Sequence, residues 1–160
     1  LPIFFDTAED LRRCRAQGMQ QPAWLQDGKT DPRGSALLTK APNSSEALFA
    51  VRLSPTINLE NKRVIVRARA SGPMQVKLWS SSSMGSGTWA DSGLLPLRAS
   101  WTDLVLRSSE LGHEDPGWNP KAVVEVGIWF GEGIVTVDAI WLEDEVEPPA
   151  GGAGGSASIP

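Results

Sequence analysis

The sequence predicts an all-β domain, a sandwich or barrel of about ten short strands with at most one short helix near the N-terminus. Two observations predict it. Apolar residues alternate with polar ones at a period of two along much of the chain, and clusters of Gly, Pro, Ser, Asn and Asp punctuate the alternating runs. The 160 residues match one domain of roughly 150. With 15 Lys+Arg against 19 Asp+Glu and a net charge of −4, the chain lacks the basic face of a nucleic-acid binder. No apolar run approaches the ~18 residues of a membrane span. One Cys and one His, Cys14 and His113, exclude a disulfide framework and a zinc site of the usual ligand type.

Taken in order, residues 3–5 open with a short strand. Thr7, three residues before Asp10, then suggests a capping box and a helical turn or two, with Leu11 and Cys14 on one face. Cys14 reads as a small buried apolar residue rather than a reactive thiol. Short strands are expected at 23–25, 35–39, 47–53, 94–97 and 102–106. The longer ones alternate more clearly. Val64, Val66, Ala68 and Ala70 face away from Arg63, Ile65, Arg67 and Arg69, and Val76 and Leu78 face away from Gln75, Lys77 and Trp79. Val124, Val126, Ile128 and Phe130 likewise face away from Lys121, Glu125, Gly127 and Trp129, and a last strand is expected at 134–142.

The opening LPIFFD has neither the basic start nor the apolar stretch of a signal peptide, so any leader is expected outside this sequence. Residues 1–145 form the expected domain. From residue 146 the composition turns to Pro, Gly, Ala and Ser, which is linker chemistry, and implies a tether to a further domain; a frayed tail is the alternative.

Catalytic and phosphate motifs fail on inspection. Ser86 lies in SMGSG rather than G-x-S-x-G, and the chain's one imidazole leaves a triad without support. The GKT at 28–30 has Ala23 where a phosphate-binding loop needs glycine. Asn43-Ser44-Ser45 fits a glycosylation sequon, a triplet that also arises by chance. Carboxylate pairs remain as an enzymatic option, but alternation places only Glu125 beside the exposed aromatic face, with Asp103 joining if its strand turns that way.

Several segments together resemble the calcium-binding jelly-roll carbohydrate-binding modules of secreted polysaccharide-degrading enzymes. They are PIFFDTAED at 2–10, GKTDPRGSALLTK at 28–40, GIVTVDAIWLED at 133–144 and the Trp-led SWTDLVL at 100–106. The resemblance implies a galactose-binding-like β-sandwich jelly roll, a secreted, periplasmic or extracellular location, and a monomeric module without catalytic residues that contacts polysaccharide but neither nucleic acid nor membrane. It also implies a structural calcium. Asp6 or Glu9 and Asp138 would supply carboxylates, and carbonyls of residues 29–31 would complete the oxygens that a hard cation requires. The alternatives are a solvated position for Asp138 and a helix-dipole role for Glu9 and Asp10.

Seven tryptophans and no tyrosine then ask which indoles are core. Trp79 and Trp129 share faces with polar residues, so they are the expected sugar platform unless loops cover that face. Trp101 and Trp141 are expected in the core. Trp24 is open, and Trp89 and Trp118 are loop aromatics that either line a cleft or plug the sandwich. A hairpin of 64–70 with 76–80 that pairs Ala70 with Val76 sets Arg67 against Trp79 and Arg69 against Lys77, near Glu125. The expected carbohydrate-binding set is therefore Trp79, Trp129, Arg67, Arg69, Lys77, Glu125, Trp89 and Trp118, on a concave sheet. A protein-interaction or adhesion sandwich and a small glycosidase or lyase are the competing functions.

Overall fold

A computed structural model describes residues 1–29, 34–83 and 86–145; the expected linker at 146–160 lies outside these, as do residues 30–33. The strands are β1 (Cys14–Gln17), β2 (Ala23–Leu25), β3 (Ser35–Thr39), β4 (Ala47–Ile57), β5 (Lys62–Ala70) and β6 (Met74–Ser81), followed by β7 (Trp89–Asp91), β8 (Leu95–Leu97), β9 (Thr102–Arg107), β10 (His113–Glu114), β11 (Val123–Phe130) and β12 (Ile134–Asp144). They form two antiparallel sheets. One has seven strands in the order β1-β4-β11-β6-β7-β10, with β8 also on β6; the other has five, β2-β3-β12-β5-β9. No helix among the described residues is long and apolar enough to cross a membrane.

The inward faces of the two sheets supply the core. Phe49 and Val51 of β4, Val76 and Leu78 of β6 and Val126, Ile128 and Phe130 of β11 meet Leu38 of β3, Val64, Val66 and Ala68 of β5 and Ile140 of β12. Each set is spaced at two within its strand, because successive side chains leave a strand on opposite faces. Phe5, fully buried and at φ 52°, packs beside Phe49.

Several expectations are corrected. Residues 3–5 form no strand but a single bridge, Ile3 to Ile140. The expected helical turns are present, as a 3₁₀ helix at Ala8–Arg13 whose Asp10 carboxylate accepts the Thr7 N–H at 3.2 Å; only Cys14 departs, opening β1 instead of continuing the helix. Burial pushes the Cys14 thiol up to about 12, in keeping with an inert side chain. The short strands β7 and β10 were not anticipated.

The largest correction concerns β5 and β6, which do not pair. Residues 71–73 carry the chain from the five-stranded sheet to the seven-stranded one, where β6 pairs with β11, β7 and β8 while β5 pairs with β12 and β9. Alternation fixes which face of a strand is apolar; an in-sheet hairpin and a crossing between sheets satisfy it equally.

A second correction follows from one residue in β12. Its register on β5 shifts between Val137 and Ala139, a bulge at Asp138 that inverts the phase of the strand. Val135 and Val137 point into the core before it and Ile140 after it, so Trp141 emerges on the outer face rather than in the core.

Gly127 in the middle of β11 is required by proximity. A Cβ there would lie 1.8 Å from the Phe49 carbonyl oxygen on β4, a position that only displacement of backbone could relieve. Gly127→Ala is therefore expected to lower unfolding free energy by about 1–3 kcal/mol, the usual range for overpacking, in urea denaturation. An unchanged midpoint would show that β4 and β11 are not this close.

Candidate functional site

The outer face of the seven-stranded sheet is built from three cross-strand rows. The first runs Gln17, Leu48, Trp129, Lys77; the second Arg15, Ala50, Gly127, Trp79, Asp91, His113; the third Arg52, Glu125, Ser81, Trp89. Each row is a line of directly opposed residues, and direct opposition is where side chains of neighbouring strands meet. Trp79, Trp129, Lys77, Glu125 and Trp89 thus share one face. Arg67 and Arg69 do not; they lie on the outer face of the other sheet.

Trp79 is not an exposed platform. It is 1% exposed, and Trp89 stacks on it at 4.5 Å between centroids with 12° between planes. The covering group is therefore another indole rather than a layer of loops. The Trp79 Nε1 is buried and has no hydrogen-bond partner among the described residues, so Trp79 contributes through packing area. Trp89 itself is half-buried. Its Nε1 donates to Asp91 Oδ2 at 2.8 Å and its backbone N–H to Asp115 Oδ2 at 2.9 Å. The other Asp91 oxygen accepts the Gly93 N–H at 2.8 Å. His113 Nε2 lies 2.8 Å from Asp115 Oδ1, and this contact, with the Trp89 N–H, holds the Asp115 carboxyl below the usual carboxylate range.

Trp129 is also half-buried. Its Nε1 donates to Glu46 Oε1 at 3.0 Å and the Lys77 ammonium lies 4.9 Å from its ring centroid. Glu46, Leu48, Lys77, Trp89, Asp91 and Trp129 line one groove of about 310 Å³. Glu46 and Asp91 were missed by the sequence reading. Each is a carboxylate that fixes an indole, and neither carries a motif.

Glu125 is on the expected face but sealed. It is 1% exposed and receives Arg15 Nε and Nη2 at 2.9 and 3.0 Å, a bidentate pair with β1 in place of the expected Arg67 and Arg69. Trp118 takes the second of the roles open to it: it is 7% exposed and plugs the sandwich as part of the core, so it leaves the expected carbohydrate-binding set.

The outer face of the five-stranded sheet is a set of satisfied pairs. Arg67 lies 4.9 Å over Trp141 and holds Asp103 through Nε and Nη2 at 2.7 and 3.2 Å. Arg69 lies 4.5 Å over Trp101 and pairs with Asp27. Trp141 and then Arg63 hold the Glu143 carboxyl below its ordinary range. Trp101 and Trp141, both expected in the core, are thus half-buried beneath guanidinium groups. Trp24 donates its Nε1 to the Phe5 carbonyl at 2.7 Å. Asp103, carried on β9, does not reach the groove.

The residues expected to hold calcium differ in burial. Asp138 is fully buried on β12, with its Oδ1 accepting the Lys29 N–H at 3.1 Å. Asp6 and Glu9 are exposed, and Glu9 faces Arg12. Among the described residues no three His, Cys, Asp or Glu side chains are placed to hold a metal ion; residues 30 and 31, part of the expected carbonyl set, lie outside them. Through its bond to the Lys29 N–H, Asp138 joins β12 to the loop after β2.

No protein-family model and no curated protein matches the sequence. Solved structures do match its fold. The chain is similar to the family 11 carbohydrate-binding module of the cellulosomal cellulase Lic26A-Cel5E of Clostridium thermocellum, with TM-score 0.64 and 11% identity over 91% of this chain and 96% of that one. It is similar to the CBM22-1 xylan-binding domain of Paenibacillus barcinonensis Xyn10C, with TM-score 0.65 and 9% identity over 92% and 94%. It also matches an exo-beta-agarase at TM-score 0.66 and 8% identity, covering 92% of this chain but only 25% of that enzyme. At these identities the likeness is one of fold: a two-sheet antiparallel jelly roll of the kind carbohydrate-binding modules have.

Two outcomes follow from the geometry. Trp79→Ala should cost about 3–5 kcal/mol, as for a buried aromatic, whereas Trp79→Phe, which keeps a ring and removes the unpartnered N–H, should cost clearly less; equal losses in thermal denaturation would refute the packing role. Arg15→Met leaves Glu125 buried without its partner and should cost about 3 kcal/mol, with most of the loss recovered in Arg15→Met/Glu125→Leu. A double variant as unstable as the single one would contradict this.

Proposed function

We propose that this domain is a non-catalytic carbohydrate-binding module that holds a polysaccharide in the groove on the outer face of its seven-stranded sheet. The observation that carries the reading is the pairing of two half-buried indoles, Trp89 and Trp129, in one open groove, each fixed through its Nε1 by a carboxylate of that groove. Sugar rings have an apolar C–H face and a polar rim. They are suited by an aromatic surface with charged hydrogen-bonding groups at its edge, and little ordering is needed when both are already in place. The jelly-roll likeness to modules described as bound to a mixed-linked tetrasaccharide and as xylan-binding supports the same ligand class.

The arrangement of the acids supports binding over hydrolysis. A glycosidase of the usual type needs one carboxylic acid to protonate the leaving group and a second carboxylate as base or nucleophile. Here both Asp91 oxygens accept protein N–H groups, Glu46 accepts the Trp129 indole, and Glu125 is closed by Arg15. These carboxylates act as anchors for the aromatic rings. The reading carries a secreted or periplasmic location and tethering to another domain, as the family resemblance implies.

Trp89→Ala/Trp129→Ala should abolish retardation in native affinity gels containing the polysaccharide that retards the parent domain, while the fold persists by circular dichroism. A folded double variant retarded as strongly as the parent would move the site elsewhere.

A further inference from the structure

Of the described residues that line the groove, Lys77 is the one cation. Of the other cations, Arg15 on the same face is held by Glu125, Arg52 stands across from Glu125 in the outer row, and Arg67 and Arg69 are paired on the other sheet. Lys77 pairs with no carboxylate among the described residues, and its ammonium rests instead over the Trp129 ring, directly across the strand pair. A cation on an aromatic face at a half-exposed position is held weakly, and an anion is a stronger partner for it. Neither acid of the groove forms an ion pair with it: Asp91 accepts an N–H on each oxygen and is only 4% exposed, and Glu46 Oε1 accepts the Trp129 indole N–H.

We propose that Lys77 reads an anionic substituent on the bound polysaccharide, a carboxylate such as that of a uronic acid, while the sugar backbone lies against Trp89 and Trp129. The ammonium leaves the Trp129 ring and meets the carboxylate at the groove edge. The exchange swaps a cation–π contact for a charge-assisted hydrogen bond and uncovers aromatic surface in the same movement. This inference rests on the glycan reading above and adds the charge of the ligand to it.

The test compares polymers that share a backbone and differ in charge: carboxymethyl against hydroxyethyl cellulose, and glucuronoxylan against the same xylan after enzymatic removal of its uronates. Affinity is measured at low and at about 1 M salt, where screening reaches within ~3 Å, for the parent domain, Lys77→Met and Lys77→Arg. The expected result is tighter binding of the parent to the acidic member of a pair by about threefold, within the range of a partly exposed ion pair. That preference, taken as the ratio of the two affinities for each protein, should vanish in Lys77→Met and in high salt and persist in Lys77→Arg. Equal binding to both members, or a Lys77→Met that weakens both alike, overturns the proposal while leaving the groove as a glycan site. Failure of the parent to bind any of the four polymers overturns it too; the glycan reading itself fails only if a wider polysaccharide panel also gives no retardation that depends on Trp89 and Trp129.

Discussion

Everything on the seven-stranded sheet depends on the register of β11 between β4 and β6. In that register Val126, Ile128 and Phe130 enter the core while Glu125, Gly127 and Trp129 form the middle of the outer rows. A slip of one residue would exchange the two sets, driving Trp129 inward and three core side chains into water. The close approach of the Phe49 carbonyl to Gly127 admits no side chain there, so the strand's least bulky residue also marks its position. The Arg15–Glu125 pair then ties the edge strand β1 across β4 to β11.

The groove is prepared by a chain of dependence that runs outward from a buried ring. Trp79 fills the space beside Gly127, Trp89 stacks on Trp79, and Asp91 and Asp115 fix the indole N–H and the backbone N–H of Trp89. Asp115 is in turn held by His113. Under the proposed function the ring is already in position, so binding would spend little on ordering side chains. Trp129 differs, with Glu46 fixing its edge and Lys77 covering its face. One indole is a fixed surface and the other is partly covered.

The opposite sheet uses the same residue types to a different end. Arg67 and Arg69 each lie over an indole and also hold a carboxylate, which uses guanidinium stacking and fork geometry at once. Cations and aromatics interleaved along a strand therefore do not by themselves distinguish a ligand groove from a self-satisfied surface. The difference is whether the partners are supplied by the protein.

The sequence by itself determined the all-β class, most strand positions, and the apolar side of β5, β6 and most of β11, because period-two alternation is a local property of the backbone. It also placed Trp79, Trp129, Lys77 and Glu125 on a common polar side. What it could not determine is which strands are neighbours, since partner choice is a matter of sheet topology that leaves the alternation unchanged. Hence alternation sets Arg67 against Trp79 and Arg69 against Lys77, whereas the crossing at 71–73 puts both arginines on the far sheet, and it sets Trp141 in the core, whereas the bulge at Asp138 turns it outward. Burial was decided at the same level: Trp79 alternates like an exposed residue and is sealed by Trp89, while Glu125 is sealed through Arg15 from another strand. A side chain's face is written in its neighbours along the chain; what covers that face comes from residues distant in sequence, which only the packed sheets bring together.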